Sequence, residues 1–107
     1  MSNKGTTLEK LQRIETLCRQ GYASDMVELT LDKIIAYEIA NAQKETADLQ
    51  KELQVFEAQY QISSDDFYRR FRQGEMGEDV DFVEWSAFYQ MWLSVQQRLE
   101  ILQSKSN

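Results

Sequence analysis

The chain has 107 residues with no histidine, no proline and a single cysteine, and its eighteen acidic residues outnumber its twelve basic ones. Apolar residues make up 42% and charged residues 28% of the chain, which is typical of one globular domain and excludes wholesale disorder. The net charge of -6 disfavours a nucleic-acid binder, because such proteins neutralise phosphates with an excess of Lys and Arg.

The missing histidine excludes His-containing metal sites and Ser-His-Asp triads. Cys18 stands alone, so no intrachain disulfide can form, and we expect it to be a small packing residue. No apolar run is long enough to span a membrane, and residues 1–21 lack the apolar segment of a signal peptide. These observations predict a cytoplasmic protein without membrane contact.

The first predicted helix spans residues 6–20. Thr6 followed by Glu9 is a capping-box pattern, and Gly21 is a suitable C-terminal cap. Apolar residues recur at three-residue steps along one face, as in an amphipathic helix. They are Leu8, Leu11 and Ile14.

The second predicted helix spans residues 25–61, with Asp25 and Thr30 as alternative caps at its beginning. Its apolar positions alternate steps of four and three, which is the heptad pattern of coiled coils. This first seam consists of Ile35, Ile39, Ala42, Thr46, Leu49, Leu53, Phe56 and Tyr60. A helix of this length extends about 54 Å, so it needs a packing partner along it.

A short helix is predicted over residues 64–73. Ser63 is its expected N-cap, and Ile62 is placed to pack on Phe67 as a hydrophobic staple. Glycines at 74 and 77 indicate a turn between this helix and the next.

The last helix is predicted over residues 81–103, with Asp81 as N-cap and Val80 stapled onto Trp85. Its apolar residues also recur at three- and four-residue steps and are unusually aromatic. This second seam consists of Trp85, Phe88, Trp92, Val95, Leu99 and Leu102.

The predicted fold is all-α, a single domain over residues 1–107. The two coiled-coil-like seams pack against each other as a long antiparallel helical hairpin, and the shorter helices are accessory to it. Two long apolar seams on so small a chain also favour self-association, as a homodimer or higher oligomer.

Carboxylates are the remaining candidates for chemistry, but the acids between 75 and 84 do not have the spacing of a calcium loop. We interpret them as helix caps and a solvated turn. Arg69, Arg70 and Arg72 are interpreted as cations in the last turn of a helix rather than as a phosphate site. We therefore expect no catalytic residue, no metal and no cofactor.

A protein-binding role fits this composition best. Aromatic side chains anchor protein interfaces as readily as cores. Residues 25–84 hold fifteen acids and six bases, a balance of -9, whereas the two ends together carry +3. Complementary charge speeds the encounter of two proteins, so an acidic segment favours a basic partner.

The stretch from Ser64 to Trp85 resembles a known pattern, S-x-x-F-Y-x-R-F-x-x-G-x-x-G-D/E-D-x-D-F-x-E-W. It is similar to small helical proteins of cyanobacteria and archaea described as antitoxin components of toxin-antitoxin pairs, the TumA-like group among them. The resemblance covers about residues 29–103, and the additional helix over 6–20 departs from it. It implies neutralisation of a small basic toxin by direct contact, with no catalytic residue.

The side chains expected to bind a partner combine that pattern with the aromatic helix. They are Phe67, Phe71, Asp79, Asp81, Trp85, Phe88 and Trp92. Two alternatives remain open. One is a carboxylate-rich, all-α, metal-dependent nucleotide hydrolase using acids spaced like Glu45, Asp48 and Glu52. The other is an architectural coiled-coil oligomer.

Overall fold

The structure is a computed structural model that describes residues 4–104. Those residues form four α-helices and no strand, so the predicted all-α class is confirmed. The helices are α1 (Lys4–Arg19), α2 (Asp25–Tyr60), α3 (Ser64–Arg72) and α4 (Val80–Gln103). Each observed end lies within two residues of its predicted position. Between residues 4 and 104, no helix has the length and apolar character needed to cross a bilayer.

The beginning of α1 differs from its prediction. The helix starts at Lys4, so Thr6 is an interior residue and not the N-cap. The end of α1 agrees with the prediction, because Gly21 has a φ of +82° and the amide of Tyr22 donates to the carbonyl of Leu17. A left-handed glycine that closes such a bond is a common helix terminator.

Helix α2 is continuous through all 36 of its residues. The hydroxyl of Ser24 accepts a long hydrogen bond from the amide of Val27 at 3.4 Å, so the residue before the helix caps it. Asp25 and Thr30, the two predicted caps, are both helical. Asp25 still contributes a favourable negative charge to the first turn.

The end of α2 is made without glycine. Gln61 adopts a φ of +55°, a left-handed conformation that is uncommon outside glycine. Its side-chain amide donates to the carbonyl of Ala58 at 2.7 Å, which satisfies one of the acceptors left open at the helix terminus. The chain then turns into α3.

Contacts within the chain divide it into two compact units, one ending at Ala36 and one beginning at Tyr37. The boundary falls inside α2, where the sequence predicts a single domain throughout. We call described residues 4–36 the N-terminal unit and described residues 37–104 the C-terminal unit.

In the C-terminal unit, α2 and α4 run antiparallel. Thr46 accepts a hydrogen bond from the side chain of Gln96 at 3.0 Å, whereas later along α2 the ring of Phe56 stacks on Trp85 at 5.5 Å. Positions later along α2 therefore contact positions earlier along α4. The predicted antiparallel hairpin is therefore confirmed.

The two seams form the core of this hairpin. Most first-seam side chains are buried or half-buried, and the second seam is buried or half-buried throughout. The exception is Ile35, which is 43% exposed and belongs to the N-terminal unit. Tyr89, which neither seam includes, is only 8% exposed and is a core residue that the spacing did not predict. The buried residues of the seams are Ala42, Leu49, Leu53, Phe56, Trp85 and Val95.

Ser63 caps α3 as predicted, because its hydroxyl accepts from the amide of Asp66 at 3.1 Å. Ile62 packs against the core cluster that contains Phe67, in agreement with the expected staple. After α3, Gly74 and Gly77 both have a φ of +78° and carry the chain through the predicted turn.

The predicted cap of α4 is wrong by two residues. Asp79 is the N-cap, with extended backbone angles and a carbonyl that accepts from the amides of Phe82 and Val83. Val80 is consequently the first helical residue, and with 75% of its surface exposed it does not staple onto Trp85. Asp81 is therefore not a cap residue, and its side chain makes a tertiary contact.

Candidate partner-binding surfaces

Phe67 and Trp85 form the centre of the C-terminal unit. Both are 0% exposed, and their rings stack in parallel with centroids 3.8 Å apart. Burial of two such large rings is a major source of stability for the core. Neither side chain offers surface to a partner in this fold, so their expected partner-binding role is replaced by a role in the core.

A buried polar chain surrounds this aromatic pair. The indole N–H of Trp85 donates to the hydroxyl of Ser64 at 2.9 Å, and the amide of Ser64 donates to the carboxylate of Glu57 at 2.9 Å. Ser64 is 3% exposed, so these bonds satisfy groups that water does not reach. Sequence patterning missed both Ser64 and Glu57, because a buried polar residue has no periodic signal.

The two aspartates of the expected set have structural roles. Asp79 is the N-cap residue of α4 through its backbone carbonyl, without a capping bond from its carboxylate, whereas the carboxylate of Asp81 accepts a hydrogen bond from the hydroxyl of Tyr60 at 2.6 Å. That bond, assisted by partial burial and by the negative charges of Asp81 and Asp79, raises the pKa of Tyr60 to about 12. The contact holds the end of α2 beside the beginning of α4.

Phe71, Phe88 and Trp92 keep part of their surface exposed. All three are half-buried and pack against the core clusters. They are the members of the expected set that combine a fixed position with accessible aromatic surface. Such residues can contact a partner without any opening of the fold.

A groove of about 330 Å³ lies where α2, α3 and α4 meet. We call it the Trp92 groove. Its lining includes Leu53, Glu57, Ser64, Asp65, Tyr89 and Trp92. The rings of Tyr89 and Trp92 stack at 5.8 Å with an angle of 14° between their planes.

The polar groups of the Trp92 groove are incompletely paired. The hydroxyl of Tyr89 donates to Asp65 over 3.4 Å, and burial together with the negative charge of Asp65 raises the pKa of this tyrosine. The indole nitrogen of Trp92 is buried and has no acceptor among the described residues. No lysine or arginine lines the groove.

The N-terminal unit carries a different kind of surface. None of its residues between 5 and 36 is buried, although it is rich in large apolar side chains. Eight of these are between 39% and 73% exposed. We call them the N-terminal apolar surface: Leu8, Leu11, Leu17, Tyr22, Met26, Leu29, Ile34 and Ile35.

The three arginines of α3 lie in its last turn, as their interpretation requires. Arg69 pairs with Asp66, and the guanidinium of Arg72 lies 5.8 Å from the centre of the Tyr68 ring. Both contacts are local to the helix. Each places a cation against an acid or a ring of its own helix.

The carboxylates that a hydrolase would need are not gathered. Glu45 accepts two hydrogen bonds from the guanidinium of Arg98 at 3.1 and 3.3 Å, which raise the pKa of that arginine. Within residues 4–104, no group of three His, Cys, Asp or Glu side chains could hold a metal ion. Cys18 is exposed, so its expected role in packing is wrong.

Most of the motif residues between 64 and 85 that are described above therefore have structural roles in the fold. Phe67 and Trp85 stack in the core, the two glycines make the turn, and Asp79 begins α4. Comparison with known proteins finds no match to any protein-family model, curated protein or solved structure.

Proposed function

We propose that this protein is a non-catalytic protein-binding module whose N-terminal apolar surface binds protein, in the first place a second copy of the same chain. The single observation that carries the proposal is the exposure of apolar side chains in the N-terminal unit. Eight large apolar side chains are exposed, and no residue between 5 and 36 is buried.

This exposure of apolar surface to water is unfavourable for an isolated chain. A helix of 16 residues such as α1 is marginally stable in water unless an apolar face is covered. Large exposed apolar patches on proteins mark interaction sites. Ile14, Val27 and Leu31 are half-buried, so part of the apolar character of this unit is already used and the rest is free for another chain.

The charges of the N-terminal unit favour a second copy as the occupant. Residues 4–24 hold four bases and two acids, whereas residues 25–36 hold three acids and one base. In a two-fold dimer, a residue i that contacts residue j of the other copy is matched by a contact of j with i, so a contact between the basic segment and the acidic segment is made twice. Opposite charges around an apolar contact set its register and exclude wrong pairings.

Sedimentation equilibrium tests this proposal. The natural chain is expected to be a dimer or larger, and Leu11→Glu combined with Leu29→Glu is expected to be a monomer. Both replaced side chains are more than half exposed, and glutamate keeps helix propensity, so the helices remain. Val55→Glu is the matched control, since Val55 is a 62% exposed apolar residue of the C-terminal unit. A monomeric natural chain would sink the proposal.

The more specific form of this function is neutralisation of a small basic toxin. It is supported by the resemblance of residues 64–85 to antitoxin-like proteins and by the acidic balance of residues 25–84, with fifteen acids and six bases. A basic protein is the partner that such a surface attracts.

Expressing any small basic reading frame that adjoins this gene, alone and together with this protein, tests this form. The expected result is that the neighbour stops growth when it is expressed alone, that this protein restores growth, and that the two proteins co-purify. A neighbour that is harmless, or that does not bind this protein, contradicts the antitoxin role while leaving self-association in place.

A further inference from the structure

The Trp92 groove combines carboxylates with aromatic rings. Its lining includes the carboxylates of Glu57 and Asp65 and the stacked rings of Tyr89 and Trp92. No basic side chain lines it. The groove is therefore acidic and aromatic, and nothing in its lining balances its negative charge.

Each carboxylate is only partly engaged. One oxygen of Glu57 accepts from the amide of Ser64, and one oxygen of Asp65 accepts the long bond from Tyr89. Across residues 4–104, the second oxygen of either carboxylate accepts no hydrogen bond from the chain. A carboxylate can accept about four hydrogen bonds, so both groups retain capacity for a donor from outside the chain.

The size of the groove limits what can occupy it. Pockets for small ligands and cofactors usually enclose about 300–1,000 Å³, and this groove, at about 330 Å³, is at the lower end of that range. That volume suits a single long side chain. It is too small for a folded element of a partner, and the absence of Lys and Arg from the lining disfavours a nucleotide phosphate.

We propose that the Trp92 groove binds an arginine side chain presented by a partner protein. A guanidinium stacks on aromatic rings and donates paired hydrogen bonds to carboxylates, which matches both features of the lining. A lysine ammonium is a compact, strongly hydrated charge and cannot stack on the aromatic rings as a planar guanidinium does. This proposal rests on the protein-binding function above and specifies the chemistry of its partner.

The arginine site also explains why the partner should be basic. Residues 25–84 attract cations at long range through their balance of -9, fifteen acids against six bases. That long-range attraction does not by itself determine where on the protein a cation binds. The groove supplies a defined position in which one guanidinium can be held against two carboxylates and a ring.

Nitrogen–proton correlation spectra of the labelled chain test the proposal, because its two tryptophans give two separate indole signals. The probe is a capped glycine-arginine-glycine tripeptide, and the comparison is the same peptide with citrulline, which is neutral and of similar shape. We expect the arginine peptide to shift the Trp92 signal saturably and to shift the Trp85 signal less, because Trp85 is buried and reaches the groove only through Ser64. The citrulline peptide should bind about tenfold more weakly, the equivalent of one charge-assisted hydrogen bond.

Asp65→Asn and Glu57→Gln are expected to weaken arginine binding by about tenfold each. The Glu57→Gln variant keeps a side-chain oxygen that can still accept from the amide of Ser64. Asp48→Asn is the matched control, because Asp48 is an exposed acid of α2 that does not line the groove. Equal binding of the citrulline peptide, unchanged binding by Asp65→Asn, or no saturable shift at millimolar peptide would each overturn the arginine site.

Two further measurements complete the test: binding of the same tripeptide with lysine in place of arginine, and sedimentation. Lysine binding as tight as arginine binding would mean that the site reads charge alone and would overturn the proposed stacking. Sedimentation of the same samples separates the two proposals: a chain that self-associates but does not bind the peptide loses the arginine site and keeps its protein-binding function.

Discussion

The indole N–H of Trp85 reaches the hydroxyl of Ser64 across 2.9 Å in the interior of the C-terminal unit. Trp85 belongs to α4, Ser64 is the first residue of α3, and the amide of Ser64 is held by Glu57 of α2. Three helices therefore meet at one buried serine. This arrangement makes the serine hydroxyl a structural element that no apolar side chain can replace.

Ser64→Ala should reduce the free energy of unfolding by about 1–3 kcal/mol, because the buried indole N–H of Trp85 would lose its acceptor. The measurement is urea unfolding followed by far-ultraviolet circular dichroism. Ser94→Ala serves as control, since Ser94 is exposed on the same helix as Trp85, and it should change stability by about 0.5 kcal/mol at most. Equal effects of the two substitutions would show that the buried hydrogen bond contributes nothing.

The two tryptophans should respond differently to replacement by phenylalanine. Trp85→Phe removes ring volume from a fully buried site and strands the hydroxyl of Ser64, so we expect a loss of about 2 kcal/mol or more. Trp92→Phe removes less buried area and also removes a buried donor that has no acceptor among the described residues. Its net effect should lie within about 1 kcal/mol. The same unfolding assay compares them, and a larger loss for Trp92→Phe contradicts this account.

The Tyr60 contact predicts a stability change at alkaline pH. Its pKa is raised from 10.0 to about 12 by the hydrogen bond to Asp81, so the fold favours the neutral phenol. The stabilisation is fully present below pH 10 and is lost as the pH rises towards 12. The pKa values of Tyr60 and Tyr89 are both raised, so ultraviolet absorbance of phenolate should detect late-titrating tyrosine, and Tyr60→Phe should remove the contribution of Tyr60 from it. Asp81→Asn should return this titration towards the ordinary tyrosine range, and an unchanged titration would contradict the contact.

Much of the C-terminal unit could be predicted from residue spacing. Heptad steps from Ala42 to Phe56 and from Trp85 to Val95 mark the two faces that pack together, because a helix with such a stripe gains stability by burying it. The cap at Ser63 was predictable for a related reason, since serine followed by two acids satisfies free amides at a helix start.

The candidate sites were less predictable, because they depend on which atoms meet in three dimensions. The sequence pattern predicted Asp81 as the cap of α4, whereas Asp79 is the N-cap residue and Asp81 accepts the tertiary hydrogen bond from Tyr60. Spacing also cannot tell a buried aromatic residue from a half-buried one. Trp85 and Trp92 share a seam, yet one is in the core and the other lines a groove.

The turn before α4 provides a test of backbone conformation that does not depend on packing. Gly74 has a φ of +78°, and a β-carbon added there would meet nothing within 4 Å. Gly74→Ala should therefore destabilise the chain by about 1–2 kcal/mol through left-handed backbone strain alone. Gly74→Asn should cost less, because asparagine tolerates this conformation.

Gly5→Ala is the control for that series, since Gly5 has equally open surroundings but lies inside α1 without a positive φ. Alanine is the better helix former, so the control should be neutral or stabilising by up to about 1 kcal/mol. Urea unfolding compares the three variants. If Gly74→Ala were as stable as the natural chain, the turn could be made without a left-handed residue at position 74, and this account of Gly74 would be wrong.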